Sequence, residues 1–332
     1  MSTTFKALVV EETEDGQFER TVKDWPFRRL PDNDVLVKVH YSSLNYKDAL
    51  SASGNKGVTK KYPHIPGIDA AGVVAESRNK RFKKGDRVIV TGYDLGQNTS
   101  GGFGQFIRVP GDWLVPLPAG LSLRESMIMG TAGFTAAIGI RHLRHNNIEP
   151  GDGRILVTGA TGGVGTMAVG ILSKLGYEIV AATGKMERES FLKETGASEV
   201  IHRDKVQDQS SKPLLSSHWA GAIETVGGLM LDTTIRQMQH NGVVACCGNV
   251  LGHELHTNVY PFILRGVSLM GIDSGNCLMD LRRKLWEKLA AEWKPKNLDK
   301  LAKKRSLEEL NNEIEKILNG KQVGRVLLDL ND

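Results

Sequence analysis

Between residues 1 and 125, apolar and polar side chains alternate in short runs punctuated by Gly, Pro and Asp. The runs are Phe5–Val10, Val35–Ser42, Asp69–Ala75, Arg87–Thr91, Phe103–Val109 and Trp113–Pro116. A period of two puts one set of side chains on each face of a strand, as half-buried antiparallel strands require. This part therefore reads as a mainly β unit with short helices. From Ser122 the texture changes. Met127–Leu143 is a long apolar segment, rich in small residues and interrupted by Gly130, Gly133 and Gly139, and is expected to form a buried connecting helix.

Beyond Pro150-Gly-Asp-Gly153, strand and helix patterns take turns. Strands are expected at Ile155–Thr158, Glu178–Ala182, Glu199–His202, Ala220–Glu224, Val243–Cys247 and Val267–Gly271, with helical stretches at Gly163–Leu175, Glu187–Thr195 and Leu229–Gln239. Strands separated by crossover helices imply a parallel sheet, here of six strands wound on both faces. Cys246 and Cys247 then fall in a buried central strand. In the tail, apolar spacing predicts helices over Leu278–Trp293 and Ser306–Leu318 and a final strand over Gln322–Asp329. That lone strand needs a sheet to join, and the first unit offers one. The expected fold class is α/β. A doubly wound, Rossmann-type six-stranded sheet over 127–275 is inserted into a discontinuous, mainly β domain made of 1–126 and 276–332.

The first turn of the α/β region carries candidate chemistry. Arg154-Ile-Leu-Val-Thr-Gly-Ala-Thr-Gly-Gly-Val-Gly165 runs from an apolar strand through a glycine cluster into a helical pattern. Backbone N–H groups at such a helix start can face a pyrophosphate. Gly162, Gly163, Val164 and Gly165 are the candidate contacts. The same glycines would suit a turn that only packs tightly, but this loop follows a strand, opens a helix and precedes a second strand by about 20 residues, as the dinucleotide motif requires. An NAD-binding fold puts Asp or Glu against the ribose 2′-hydroxyl at the end of that second strand. Here the position reads Thr183-Gly184-Lys185, which suits a 2′-phosphate, and NADPH is the expected cofactor. The alternative is a solvated Lys185 with Glu187 as the ribose ligand, but Glu187 lies past the strand end, where an acidic residue favours a helix start through its dipole. Arg203, in His202-Arg-Asp204, is either a second phosphate partner or a solvated loop residue.

Composition narrows the partners. The 332 residues are 40% hydrophobic and 24% charged, enough to bury a full core, and the net charge of +5 is spread along the chain. The densest basic run, Lys300–Arg305, has no interleaved aromatics to stack on bases and reads as a solvated helix face. Nucleic acid is not an expected partner. Three cysteines cannot build a disulfide framework, and no apolar run approaches the roughly 18 residues of a membrane span. No charged-then-apolar leader precedes the first strand pattern. A reducing, cytoplasmic setting without a membrane partner is expected.

Together with this architecture, Pro66-Gly-Ile-Asp69, Gly85-Asp-Arg-Val88, Gly101-Gly-Phe-Gly104 and Gly130-Thr-Ala-Gly-Phe-Thr-Ala136 resemble the medium-chain dehydrogenase/reductase superfamily, in its quinone-oxidoreductase-like division. Ser42-Ser-Leu-Asn-Tyr-Lys-Asp-Ala49, Gly111-Asp-Trp-Leu114, Trp219-Ala-Gly-Ala-Ile-Glu-Thr-Val-Gly227 and Pro261-Phe-Ile-Leu-Arg265 narrow the resemblance to the branch containing acrylyl-CoA reductase (NADPH). The resemblance covers nearly the whole chain and implies that the first domain is GroES-like and catalytic. Zinc members carry a Cys near the end of the strand leading to Asn45, and Gly-His-Glu where this chain has Gly67-Ile68-Asp69. Neither ligand is present, and no cysteine lies between Tyr41 and Pro118 to build a structural zinc site. His253-Glu-Leu-His256 has one residue too few between its histidines for a zinc-protease helix, and His142 and His145 have no third ligand near in sequence. An enzyme without a metal is expected.

Without a metal to polarise an alkoxide, the reaction the resemblance implies is conjugate reduction. Hydride adds to the β-carbon of an activated alkene, the carbonyl oxygen gains enolate charge, and the α-carbon takes a proton. Asn45, Tyr46 and Asp69 match positions that, in the family's fold, face the nicotinamide from the substrate domain. Asn45 or the Tyr46 hydroxyl could donate to the oxygen, and Tyr46 could also contact the cofactor. Asn45 is equally a good helix N-cap, with Asp48 three residues on as in a capping box. The resemblance also assigns Asn249, Ile263, Ser274 and Asn319 to the cofactor cleft. Asn249 and Ser274 gain support because ligands sit outside the carboxyl ends of parallel strands. The substrate expected is a small molecule, a short 2-enoyl-CoA with acryloyl-CoA as the branch's signature. A broad quinone or enone reductase and a non-enzymatic NADPH-binding protein stay open as readings. The superfamily habit implies a homodimer paired through the sixth strand.

Overall fold

The computed structural model describes residues 3–331, which divide into two compact units. The first comprises Met1–Thr131, Gly275–Ala290 and Leu298–Asp332; the second comprises Ala132–Ser274 and Ala291–Asn297.

The first unit opens with β1 (Thr4–Glu12) and β2 (Phe18–Pro26), an antiparallel ribbon. Then follow β3 (Val35–Ser43), α1 (Tyr46–Ala52), β4 (Asp69–Ser77), β5 (Arg87–Thr91), β6 (Phe106–Val109), β7 (Val115–Pro116) and α2 (Leu123–His145), the last of which runs across the boundary between the units. The second unit continues with β8 (Ile155–Val157), α3 (Gly163–Lys174), β9 (Ile179–Thr183), α4 (Glu189–Thr195), β10 (Glu199–His202), β11 (Trp219–Glu224), α5 (Gly228–Arg236), β12 (Met238–Cys246), α6 (Tyr260–Arg265) and β13 (Ser268–Gly271). The chain returns to the first unit through α7 (Met279–Ala290), β14 (Ala302–Arg305), α8 (Leu310–Leu318) and β15 (Arg325–Asp329).

In the first unit the sheet order is β14-β15-β3-β4-β5-β7, with β6 also paired to β3. The final strand joins it as the sequence pattern required: β15 runs antiparallel to β3, with Leu327 opposite Ser43. The alternation that marked these strands buries Leu8, Val37, Val88, Ile107 and Val326, and α8 adds Leu310 and Ile314 to the same core. The basic run Lys300–Arg305 needs correcting. It is not a helix face: after one 3₁₀ turn at Leu298–Leu301 it becomes the edge strand β14, paired in parallel with β15. Lysines on an edge strand discourage another chain from pairing there, and their charge conceals the strand pattern. β2, polar along much of one side, was likewise not expected.

The second unit is a parallel sheet in the order β10-β9-β8-β11-β12-β13. Its inner strands are apolar on both faces, as a doubly wound sheet demands; all three residues of β8 and all five of β9 are buried. Leu156, Val180, Ala222, Val244 and Ile235 form much of the core. Cys246 and Cys247 are not in a central strand. Cys246 ends β12, the second strand from the edge, Cys247 lies just beyond it, and both are half-buried. Helix α5 stops at Arg236 rather than Gln239 because β12 already begins at Met238.

Candidate functional site

Three strand ends of the first unit meet in a buried polar cluster: the end of β3, the start of β4 and the start of β15. Asp69, at the start of β4, is completely enclosed. Its Oδ2 accepts the Ser43 hydroxyl at 2.6 Å, Asn45 Nδ2 at 2.8 Å and the Thr131 amide at 2.9 Å, while Oδ1 accepts the Thr131 hydroxyl at 2.6 Å. Arg325 Nη2 stands 3.9 Å from Oδ2 and donates to Ser43 Oγ at 2.9 Å. The rest of that guanidinium donates to the carbonyls of Leu44 (3.2 Å) and Ile128 (3.0 Å) and to Asn45 Oδ1 (3.3 Å). Asp48, in the first turn of α1 and also enclosed, accepts the amides of Asn45 and Ile68, each at 2.8 Å. Thr131 reaches Asp69 because α2 breaks at Gly130, whose φ of 50° and ψ of −154° are not helical. A Cβ at Gly130 would overlap the Asp69 carboxylate and the Ser43 hydroxyl, so the approach depends on glycine.

The structure puts Asn45 and Asp69 together, with Asn45 in the helix-capping place that was one of its two expected roles and Asp69 enclosed. Asn45 caps α1 through its amide, and its side chain is taken at both ends, by Asp69 and by Arg325. Asp69 has no face open to solvent. Of the three, Tyr46 alone is exposed, at 40%; it is the first residue of α1, immediately after the cluster. Burial and the neighbouring Asp69 charge push the Asp48 carboxyl up to about 7, outweighing the amides that favour its ionised form. Burial also holds the Arg325 guanidinium below its ordinary value against the opposing pull of Asp69 and Asp48.

In the second unit the glycine loop joins β8 to α3. The helix begins at Gly163 with Gly162 as its cap, so the first amides of α3 have no partner within the helix. A Cβ on Gly165 would strike the Gly159 carbonyl and the Ala160 Cα; glycine lets the helix start press against the turn. Val164 is half-buried beside it. The loop is braced from β11. Buried Glu224 accepts the Thr158 hydroxyl and the amides of Val226 and Gly227, each at 3.0 Å, and Thr225 Oγ1 donates to the Thr158 carbonyl at 2.8 Å. Burial raises the Glu224 pKa.

At the end of β9, Thr183 is buried; its hydroxyl accepts the Lys185 amide at 3.1 Å and shares a hydrogen bond with Thr161. Thr183 thus shapes the turn from within. Gly184 is exposed, and β10 runs alongside with His202 opposite Thr183. That register lays Arg203 against Gly184, with the guanidinium carbon 3.3 Å from where a Cβ would sit. Arg203 and Lys185 therefore stand at one strand end. Burial lowers the Lys185 pKa, with Glu187 opposing and Arg188 adding to the shift. Asn249 is exposed in the loop after β12, and Ile263 is 67% exposed on α6. Ser274, past β13, accepts the Thr135 hydroxyl at 2.9 Å. Asn319, in the first unit, caps the end of α8, its side chain donating to the Glu315 carbonyl at 2.7 Å. Sequence reasoning missed Arg325, Ser43 and Thr131. The one available signal was an arginine opening an apolar strand, Arg325-Val-Leu-Leu-Asp329.

A dinucleotide-type parallel sheet with a glycine loop, carried in one chain with a mainly β unit holding an enclosed polar cluster, defines a two-domain nicotinamide-type oxidoreductase. The chain belongs to the medium-chain dehydrogenase/reductase superfamily, in its quinone-oxidoreductase-like division. Residues 31–119 match the family described as alcohol dehydrogenase GroES-like domain, and residues 163–292 the family described as zinc-binding dehydrogenase. The chain is 47% identical over 331 residues to the putative quinone oxidoreductase YhfP of Bacillus subtilis, covering 99% of this chain and 100% of that protein. It is 44% identical over 326 residues to the probable acrylyl-CoA reductase AcuI of Escherichia coli, covering 98% and 100%. A crystal structure of Bacillus subtilis YhfP with NAD bound superposes with a TM-score of 0.96 at 46% identity, covering 99% of this chain and 100% of that one. Escherichia coli YhdH with bound NADPH superposes with a TM-score of 0.94 at 45% identity, covering 98% and 100%.

The zinc in the second family's description does not fit the residues at this site. Among the described residues no three His, Cys, Asp or Glu side chains are grouped to hold a metal. Asp69 has already given its oxygens to Ser43, Asn45 and Thr131, and the guanidinium beside it would repel a dication.

The raised Asp48 pKa sets a pH test. An acid whose folded pKa lies above its unfolded value holds more protons folded than unfolded, so stability from this group is full below about 4 and is lost as pH rises through about 7. The stability of the wild type relative to Asp48→Asn is expected to decline between pH 4 and 7 and to level off above, in urea titrations across that range. A difference that stays constant with pH would refute the shift.

Proposed function

We propose that this protein is an NADPH-dependent reductase of the carbon–carbon double bond of short 2-enoyl-CoA thioesters, converting acryloyl-CoA to propionyl-CoA without zinc. The observation that carries the cofactor half is the end of β9, where Arg203 lies against Gly184 beside Lys185. Both cations flank a strand end whose ribose position reads Thr183-Gly184-Lys185 rather than Asp or Glu, which favours a 2′-phosphate over a free hydroxyl even with Asp204 4.0 Å from Arg203 and Glu187 acting on Lys185. The packing of Gly165 on the Gly159 turn fits a pyrophosphate at the start of α3. NADP-bound relatives support the reading, and the NAD-bound Bacillus protein makes the cofactor preference a point for direct test. The substrate half rests on the identity to acrylyl-CoA reductases, 42–44% over nearly the whole chain.

A bound NADPH would supply a hydride for the β-carbon and be left as NADP⁺, and the α-carbon would take its proton from water. The protein's part is orientation and charge. Tyr46, exposed at the head of α1, donates its hydroxyl to the thioester oxygen as enolate charge develops there. Asn45 and Asp69, both enclosed, act as positioning residues, fixing the start of α1 so that the donor waits in place. Gly162, Gly163, Val164 and Gly165 hold the pyrophosphate, with Asn249, Ile263, Ser274 and Asn319 as further cofactor contacts. A broad quinone or enone reductase is the second reading, favoured by the name of the Bacillus relative. The proposal carries with it a cytoplasmic homodimer paired through β13, an outer strand of its sheet.

A hydrogen bond to a charged group contributes about 1.5–3 kcal/mol, and about 1.4 kcal/mol is tenfold in affinity. Lys185→Ala is therefore expected to weaken NADPH binding about ten- to a hundredfold in a fluorescence titration and to leave NADH binding nearly unchanged; equal losses for both would overturn the assignment. Tyr46→Phe under saturating NADPH is expected to lower kcat about a hundredfold, whereas undiminished turnover would remove the hydroxyl from the chemistry. Steady-state assays of acryloyl-CoA, crotonyl-CoA and benzoquinone with each nucleotide are expected to give the highest kcat/KM for acryloyl-CoA with NADPH. A higher value for the quinone would establish the second reading instead.

A further inference from the structure

The geometry points to Arg325 as the positioning residue that holds the Ser43–Asn45 turn, and through it Tyr46, in the arrangement the reaction needs. This inference rests on the role proposed above for Tyr46. Arg325 opens β15, almost three hundred residues along the chain from the turn it grips, yet its side chain is enclosed. Its donors converge on consecutive groups of that turn: the Ser43 hydroxyl, the Leu44 carbonyl and Asn45 Oδ1. Its Nε holds the Ile128 carbonyl, two residues before the break at Gly130. One planar group thus ties the end of β3, the head of α1 and the kink of α2. Asp69 bonds to the same three places, through Ser43, Asn45 and Thr131, so the guanidinium and the carboxylate grip the turn from two sides.

A purely stabilising role is a poor account of such a group. Burying an ion pair is often no better for stability than packing apolar side chains of the same volume. A guanidinium does offer a rigid fork of donors that fixes several acceptors at once. Here the acceptors belong to the turn that immediately precedes Tyr46. Asn45 is held from both sides, by Arg325 at Oδ1 and by Asp69 at Nδ2, so its amide orientation is set and the first turn of α1 follows it. The effect on Tyr46 is indirect. Arg325 is enclosed and belongs to the positioning set.

Lysine keeps the charge but loses the planar fork, so Arg325→Lys separates positioning from charge balance; Arg325→Met removes both. In Arg325→Lys, kcat for acryloyl-CoA with saturating NADPH is expected to fall about ten- to a hundredfold, with the NADPH dissociation constant within about twofold of wild type, since the glycine loop belongs to the other unit. The decisive measurement is a double-mutant cycle with Tyr46→Phe. If Arg325 acts through Tyr46, adding Arg325→Lys to Tyr46→Phe costs little further kcat. Independent losses that multiply would overturn the inference, as would wild-type kcat in Arg325→Lys. The cycle needs only the lysine variant, so failure of Arg325→Met to fold does not remove the test. If Tyr46→Phe is itself fully active, the functional reading fails; if Tyr46→Phe is impaired and Arg325→Lys is not, the reading stands and only this inference fails.

Discussion

Two carboxylates, Asp48 and Asp69, share one enclosed space with a single guanidinium, Arg325. Each ion taken out of water costs several kcal/mol even after relaxation, and the arrangement persists only because nearly every lone pair and N–H has a partner. Ser43, Asn45 and Thr131 surround Asp69; the Asn45 and Ile68 amides hold Asp48; backbone carbonyls take up the rest of Arg325. The interaction reaches through the first unit. It fixes how β15 meets β3, where α1 starts, and why α2 has to break at Gly130. Burial first, and the neighbouring Asp69 charge second, raise the pKa of Asp48 in this space.

The second unit solves a different problem, that of bringing backbone close to backbone. Its glycine loop works by absence: the missing Cβ of Gly165 lets α3 start against the Gly159 turn, and Glu224 pins the neighbouring amides from below the loop. Glu224 is buried with its oxygens occupied, much as Asp69 is in the first unit. In both places a carboxylate organises N–H groups, and the groups that remain exposed are left for a ligand. Exposure therefore separates roles better than residue type does. Tyr46, Gly184 and Asn249 are open, whereas Asn45, Asp69 and Thr183 are not.

What was legible in the sequence follows from the range of the forces involved. Periodicity is local, and it correctly yielded the antiparallel unit, the six parallel strands and the return of the last strand to the first sheet. The glycine loop was legible for the same reason, since its strand, turn and helix are contiguous. Charge hid two strands: β14 is Ala302-Lys-Lys-Arg305, and β2 mixes Glu, Arg, Lys and Asp into its pattern. Arg325 was beyond reach because its partner Ser43 lies 282 positions away, and no local pattern states that distance. The motif around Asn45 and Asp69 announced a site, but a motif cannot say which of its side chains will be enclosed.

That distinction bears on how the zinc-free reduction proposed above would work. A metal would both hold its ligands in place and polarise a substrate oxygen, whereas here the two tasks fall to different groups. Arg325 and the buried acids can hold the turn, but an enclosed guanidinium cannot reach a substrate oxygen. Any polarisation has to come from an exposed donor, and in the proposed function that donor is Tyr46. A phenol donates a hydrogen bond without the charge of a dication, so it matches an oxygen that gains enolate character gradually better than one that must be stabilised as a full alkoxide. The enclosed cluster and the exposed tyrosine are in this sense one device. Under the proposed function, fixed charges supply rigidity where solvent is excluded, and a neutral donor supplies the modest polarisation that conjugate addition of hydride requires.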